Sequence, residues 1–260
     1  MALEIKDIVQ LKKWDVFMDG YFLEGATVFT PGYNVEQKSI PVFGNDDSIK
    51  GNRFPNSTLT VAKLEKFDYI NIMKDLIHGY KPEQSDVRAY DPRDCINVAV
   101  WANLRNEANT QYQRCIWADN FAPPSGFSGG TPTDDAVLEL AGNCNVITEF
   151  SNCGIFCEVL ATSGDGDDPD TVDTMLSVPG QPANTFALKV VSFDDATDTF
   201  VNLSPVKTTY FLDSNTLDAS VINTDAGQTS TDIMVVYLVA SAGLSIYPNQ
   251  TPDGKYAQLT

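Results

Sequence analysis

Apolar and polar residues along this chain alternate in short bursts, a period near two that predicts half-buried strands rather than helical stripes. Val16-Phe17-Met18 and Tyr21-Phe22-Leu23 flank Asp19-Gly20, a dipeptide that suits both central positions of a two-residue hairpin turn. A strand is expected at Thr27–Thr30, ended by Pro31-Gly32, and another over Val35–Val42. Leu59, Val61 and Leu64 mark a further one. Cys95–Leu104 is apolar enough for a buried strand, with Tyr112–Asp119 as its antiparallel partner and 105–110 as the turn. Val137–Leu140, Asn145–Phe150, Ile155–Leu160, Phe186–Phe193, Thr199–Leu203, Thr208–Leu212 and Ile233–Val239 complete the predicted strands, with 194–198 as a turn.

The period changes once. Ile70, Met73, Leu76 and Ile77 recur three and four apart after Asp68, a capping residue, and Gly79 and Pro82 end the run. This predicts one α-helix at about 68–79. It cannot bury its apolar stripe alone, so it is expected to flank a sheet or a neighbouring subunit. Residues 1–15 read as an amphipathic arm, with Ile5, Ile8, Val9 and Leu11 among Lys6, Lys12 and Lys13. Residues 44–56 form a polar stretch bounded by glycine and proline, expected to be a contact-forming loop. Residues 122–134 are rich in Gly, Pro and Ser, and the tail after Pro248 is expected to be loosely ordered.

Charge divides the chain there. Residues 1–115 hold 14 Lys/Arg against 16 Asp/Glu, and residues 116–260 hold 3 against 19, which accounts for the net charge of −18. The expected organisation is a core over 1–121, with arm and helix, and an acidic β-rich second half over 122–260, or an elaboration of the same domain. Such a balance disfavours specific binding to nucleic acid or to anionic membranes, both of which require cations. There is no run of about 18 apolar residues, and the charged start, Glu4, Lys6 and Asp7, is unlike a secretory leader. The expectation is a protein made in the cytoplasm, with no membrane partner.

Candidate chemistry is sparse. His78 is the only histidine and sits in the last predicted helical turn, so no histidine-based triad or metal site can be assembled. Asp165, Asp167, Asp168 and Asp170 invite comparison with a calcium loop, but the sixth and twelfth places hold Asp170 and Leu176 where Gly and Glu are required. Gly126, Gly129 and Gly130 lack the Lys-Ser/Thr that follows a phosphate cradle. No catalytic residue, cofactor or metal is predicted. Trp14, Trp101 and Trp117 read as core or interface anchors. The five cysteines, 95, 115, 144, 153 and 157, include no CxxC; reduced thiols are expected, with a Cys144–Cys153 hairpin bridge as the alternative.

The order of these segments resembles the major tail tube protein of tailed bacteriophages over residues 14–120. The resemblance lies in DVFMDGYFLEGATVFTPGYNVEQKS, GNDDSIKGNRFP, STLTVAKLEKFDYINIMKDLIHG, CINVAVWANL and YQRCIWADNF. It implies a mainly β fold, a β-sandwich or partial barrel with one flanking helix, whose inner strands join a ring-shaped β-barrel on oligomerisation. It further implies homo-hexameric rings that stack into a tube in the virion tail and conduct genomic DNA without binding it specifically. Sheath, tape-measure and terminator proteins would be the other partners. Residues 44–56 would match the inter-ring loop, through Asn45, Asp46, Asp47, Ser48, Ile49, Lys50, Asn52, Arg53 and Phe54. If the early strands line the conduit, Glu36, Asp46, Asp47 and Glu65 are the candidates for an acidic lumen. The competing readings are another virion structural protein (sheath, capsid decoration or tail terminator), a secreted surface β-protein, and a virion-borne glycan hydrolase.

Overall fold

The computed structural model describes residues 14–23, 26–33, 36–41, 48–53, 57–64, 98–106, 112–122, 137–161, 174–175, 187–194, 199–212, 216–227 and 231–240. The predicted helix at 68–79, His78, the arm before Trp14, the aspartates at 165–170, the glycines at 126–130 and the tail after Pro248 lie outside them.

Sixteen strands make up most of what is described. The central sheet has the order β10 (Val146–Ser151), β8 (Tyr112–Phe121), β7 (Val98–Arg105), β1 (Trp14–Met18) and β2 (Tyr21–Phe22), antiparallel throughout. β7 is buried from Val98 to Leu104, so both faces of the sheet are covered there. That is why its sequence reads as an unbroken apolar run. β10 sits at the edge and alternates between exposed and covered residues. The β1–β2 hairpin closes as its sequence predicts. Phe17 pairs with Phe22 and Met18 with Tyr21, while Asp19 and Gly20 take φ of 43° and 83°. Both central φ angles of such a turn are positive, and Gly20 takes its angle without steric cost.

Behind the central sheet lies a rear sheet in the order β11 (Cys153–Ala161), β16 (Thr231–Ala240), β13 (Ala187–Asp194), β14 (Thr199–Asn202). β13 and β14 form the hairpin expected around 194–198, with Asp194 opposite Thr199. Ile155, Cys157, Val191, Met234 and Val236 of the rear sheet join the core built on Phe17, Trp101 and Trp117. The opposite face, with Phe156, Val190, Ile233, Val235 and Tyr237, forms a second core with Tyr210, Phe211, Leu217 and Ile222. This second core is closed by a 3₁₀ turn (Thr208–Tyr210) and by α1 (Ala219–Ala226). Here the structure corrects the sequence reading: 208–212 was expected to be a strand, and no helix was expected at 219–226. The Asp218 side chain accepts a hydrogen bond from the Val221 amide at 3.1 Å, capping α1, and Gly227 ends it. The short β12 (Thr174–Met175) pairs with β15 (Thr216–Leu217) beside it.

In front stands a third sheet, β3 (Ala26–Gly32), β6 (Ser57–Leu64) and β9 (Val137–Cys144), in the order β3-β6-β9. The Trp14 ring stacks on Phe29 between it and the central sheet, 6.4 Å between centroids. β8 turns from the central sheet into the front one: Asn120 takes φ of 50° and Ala122 exchanges hydrogen bonds with Asn143. The chain is therefore a β-sandwich with a partly wrapped corner. Strands from both sides of residue 121 share the central and the front sheets.

Buried and partly buried polar contacts tie the layers to one another and strands within a sheet. Lys189 of β13 bonds Asp19 of the β1–β2 turn, Nζ to Oδ1, at 2.5 Å, with side chains 6% and 0% exposed. The same Oδ1 accepts from the Ala99 amide at 3.0 Å. Asn103 of β7, fully buried, donates to the Ile155 carbonyl at 2.7 Å and accepts from the Ile155 amide at 2.9 Å. Its side-chain amide thus imitates a strand partner across two sheets. Asp15 accepts both arms of Arg105, at 2.6 and 2.8 Å, and the Tyr112 hydroxyl at 2.9 Å. Burial, reinforced by the Asp15 charge, pushes the Tyr112 hydroxyl well above its usual range, so it stays a donor. At the far face of the rear sheet the Tyr237 hydroxyl donates to Glu158.

Breaking such a buried pair leaves an uncompensated charge. Lys189→Met is expected to destabilise the fold by about 3 kcal/mol. Adding Asp19→Asn, a residue that also tolerates positive φ, should restore more than half of that loss. Urea unfolding of the two variants measures this; equal losses in both would show that the pairing does not matter.

Candidate assembly surface

The front sheet is two-faced. Phe29 pairs with Val61, and Val61 with Leu140. Leu59, Val61, Leu140 and Cys144 are buried against the central sheet. The alternate positions point away: Thr30 is opposite Thr60 and Thr60 opposite Ala141, while Thr58 is opposite Asn143. Thr30, Thr58, Ala141, Asn143 and Glu139 are exposed and Thr60 is half-covered, while Ala62 beside Glu139 is buried. Among these six uncovered positions there is one acid and no base.

Both long edges of this sheet are open among the described residues. β3 pairs with β6 alone, and β9 meets, beyond β6, only the single bridge at Ala122. Pro31 fits such an edge, because a proline there leaves no ladder hydrogen bond unmade. This explains why the strand runs on through Pro31-Gly32, where the sequence suggested a break.

The expected loop at 44–56 is in good part a strand. β4 (Glu36–Pro41) pairs with β5 (Ser48–Arg53) from Glu36 opposite Arg53 to Pro41 opposite Ser48. Just inward, Gly32 is opposite Thr58. From that pair to Glu36–Arg53 one strand advances four residues and the other retreats five, so the two pairings lie one residue out of register on a common course. β9 stops at the pair Ser57–Cys144. Among the described residues β4 and β5 pair only with each other, as a two-stranded ribbon about 20 Å long at ~3.3 Å per residue.

Of the residues expected at an inter-ring contact, Ser48, Ile49, Lys50, Asn52 and Arg53 lie on β5. Asn45, Asp46, Asp47 and Phe54 lie outside the described residues. Of the expected lumen acids, Glu36 opens β4, opposite Arg53; Asp46, Asp47 and Glu65 lie outside the described residues. The exposed acid on the front face is Glu139, which the reading missed. Its position between Leu138 and Leu140 in an alternating run was the available signal.

At the corner joining the front and central sheets, burial raises the Asp119 carboxyl above the usual carboxylate range. Nearby Cys144 is pushed up to about 12, first by burial and then by Asp119. None of Cys115, Cys144, Cys153 and Cys157 forms a disulfide, so the Cys144–Cys153 bridge is not made. Among the described residues no group of three or more His, Cys, Asp or Glu is arranged to hold a metal. No helix among them is long and apolar enough to cross a membrane.

No family model and no curated relative matches the chain. Several solved structures are similar to it in part. One is a chain of the sheath–tube complex of an extracellular contractile injection system, PVC, in its extended state. It shares 13% identity over 56% of this chain and 94% of that one, with a TM-score of 0.37. A chain of the PVC sheath/tube terminator shares 14% over 58% and 100%, at 0.38. The Dit protein of phage SPP1, described as a hub adsorption apparatus, shares 10% over 87% and 99%, at 0.30.

Two substitutions test the two-faced sheet. Thr30→Gln, on the open face, should change stability by no more than about 0.5 kcal/mol, whereas Val61→Asn, on the buried face, should cost about 2–3 kcal/mol. Equal effects in chemical unfolding would overturn the assignment.

Asp119 gives a pH signature. A carboxyl whose pKa is higher folded than unfolded favours the fold most when protonated. Its contribution is lost as pH rises through the carboxylate range. Asp119→Asn should therefore stabilise the protein at pH 7 relative to the parent, with the gain shrinking as pH falls through the raised folded pKa and gone below the ordinary aspartate pKa of ~3.9. Thermal unfolding at several pH values checks the sign.

Proposed function

We propose that this chain is a tail tube subunit of a tailed bacteriophage, forming hexameric rings that stack into a conduit for genomic DNA. The observation that carries the reading is the front sheet, which among the described residues has two open edges, one buried face, an uncovered face whose six positions include no base, and a ribbon beyond one end. Open edges invite further strands. Pairing the β3 edge of one subunit with the β9 edge of the next is a head-to-tail contact that closes into a ring and removes both open edges of the front sheet. The polar face then lines the ring. Thr30, Thr58, Thr60, Asn143 and Glu139 offer phosphates no cationic hold, so DNA passes without sticking.

The β4–β5 ribbon would reach the next ring, with Lys50, Asn52, Arg53 and the residues of the tip as its contacts. In such a tail the further partners are the tape measure inside, the terminator at the end and, where the tail contracts, a sheath outside. The order of segments over 14–120 agrees with the same reading.

Electron microscopy of the purified, concentrated chain tests the class: six-fold rings in stacks are expected, and a monomer at every concentration would reject it. Replacing residues 42–47 by Asn-Gly should leave a folded protein that polymerises poorly, because a two-residue turn can close the β4–β5 hairpin without the longer tip. An unfolded product, or normal tubes, would count against the inter-ring role. In assembled tails, Glu139→Lys should permit tube formation and slow DNA release; unaltered release would remove the polar face from the conduit.

A further inference from the structure

The central and rear sheets bring two cysteines together that are far apart in the chain. Cys115 lies on β8 and Cys153 opens β11, and their sulfurs are 3.2 Å apart. Both are buried, at 0% and 4% exposure. The backbones around them are clamped on either side. The Asn152 amide donates to the Gln113 carbonyl at 2.6 Å, and Asn103, opposite Cys115 in the central sheet, holds both polar groups of Ile155. Between these clamps Gly154 lies so close to Tyr112 that a Cβ there would meet its ring at 2.7 Å. The two strands are thus held against each other at the level of the sulfurs. The gap exceeds the ~2 Å of a sulfur–sulfur bond by only about 1 Å.

We propose that Cys115 and Cys153 are a cross-sheet disulfide site that closes when the protein meets a small-molecule disulfide. The chemistry is thiol–disulfide exchange with glutathione disulfide. The Cys153 thiolate attacks one glutathione sulfur and forms a mixed disulfide, releasing one glutathione thiolate. Cys115 loses its proton, attacks the Cys153 sulfur and expels the second glutathione thiolate. The two protein thiols give up two electrons and two protons, and the glutathione disulfide leaves as two glutathione thiols. Cys153 suits the first step: the hydrogen bond from Cys115 lowers its pKa, whereas Cys115 is held as the thiol. The site differs from the hairpin bridge suggested by sequence, since Cys144 belongs to the front sheet.

The test incubates the full chain with glutathione disulfide, at 25 °C and near its unfolding midpoint so that access does not limit the reaction. Denaturing alkylation and mass analysis follow. The expected product has lost two hydrogens, alkylates at Cys95, Cys144 and Cys157 only, and yields one joined peptide pair containing Cys115 and Cys153. Reduction should lower its thermal midpoint by about 10 °C, as expected for closing a long loop in a domain of this size. A Cys115→Ser/Cys153→Ser variant should show no response to reductant. Alkylation of all five thiols at both temperatures, or a joined pair with any other cysteine, would overturn the proposal.

Discussion

The structure depends on burying β7 on both faces. A strand that faces solvent on neither side must be apolar, and Val98–Leu104 is, apart from Asn103. Covering it takes two further layers, so the backbone groups and the few polar side chains of the central sheet have no water to turn to. Asp15, Asp19 and Asn103 are each answered by a group from another strand: Arg105 with Tyr112, Lys189, and Ile155. The Asp19–Lys189 and Asn103–Ile155 contacts cross from the central to the rear sheet and fix how the two layers sit on one another, while Asp15 with Arg105 and Tyr112 ties strands within the central sheet. Register between sheets is thus set by a handful of polar atoms inside an otherwise apolar interior.

A chain that invests its layers this way leaves the front sheet as the one with work to do at its surface. Its inner face is committed to the core, while its outer face and edges are uncommitted. The rear sheet has β11 and β14 as its edges among the described residues, but its outer face is closed by the 3₁₀ turn and α1. The front sheet thus keeps an uncovered face where the outer face of the rear sheet is covered, and the proposed assembly role rests on that asymmetry.

Most of the strands were legible because a sheet with one buried face writes its period into the sequence, and the Asp19-Gly20 turn was legible because few dipeptides suit two positive φ angles. What escaped has specific causes. Ala219–Ala226 carries Val221, Ile222 and Thr224, which suit strands as well as helices; only the Asp218 cap and the Gly227 stop betray it. Thr208–Tyr210 has strand-like residues, yet tertiary packing of Tyr210 bends the segment. Of the β4–β5 ribbon, β4 was legible from the alternation over Val35–Val42, whereas Ser48–Arg53, with Ile49 as its one apolar residue, gave no alternation to read. Glu139 escaped because the third strand of the front sheet comes from residue 137 onward, and the identity of a partner strand is not written in local pattern. The same limit hid Cys115 from Cys153, since only the stacking of two sheets makes them neighbours.

The ribbon has a mechanical consequence. Its two strands run toward β3 and β6 on nearly the same register, so a pull at its tip is transmitted along strand axes into the front sheet. Ladder hydrogen bonds loaded along the strand direction share the force and must fail together, whereas bonds peeled from one end fail singly. A tension applied at the tip draws β3 and β6 the same way, so the β3–β6 ladder is barely sheared and the load passes along the whole β6–β9 ladder before it reaches the core.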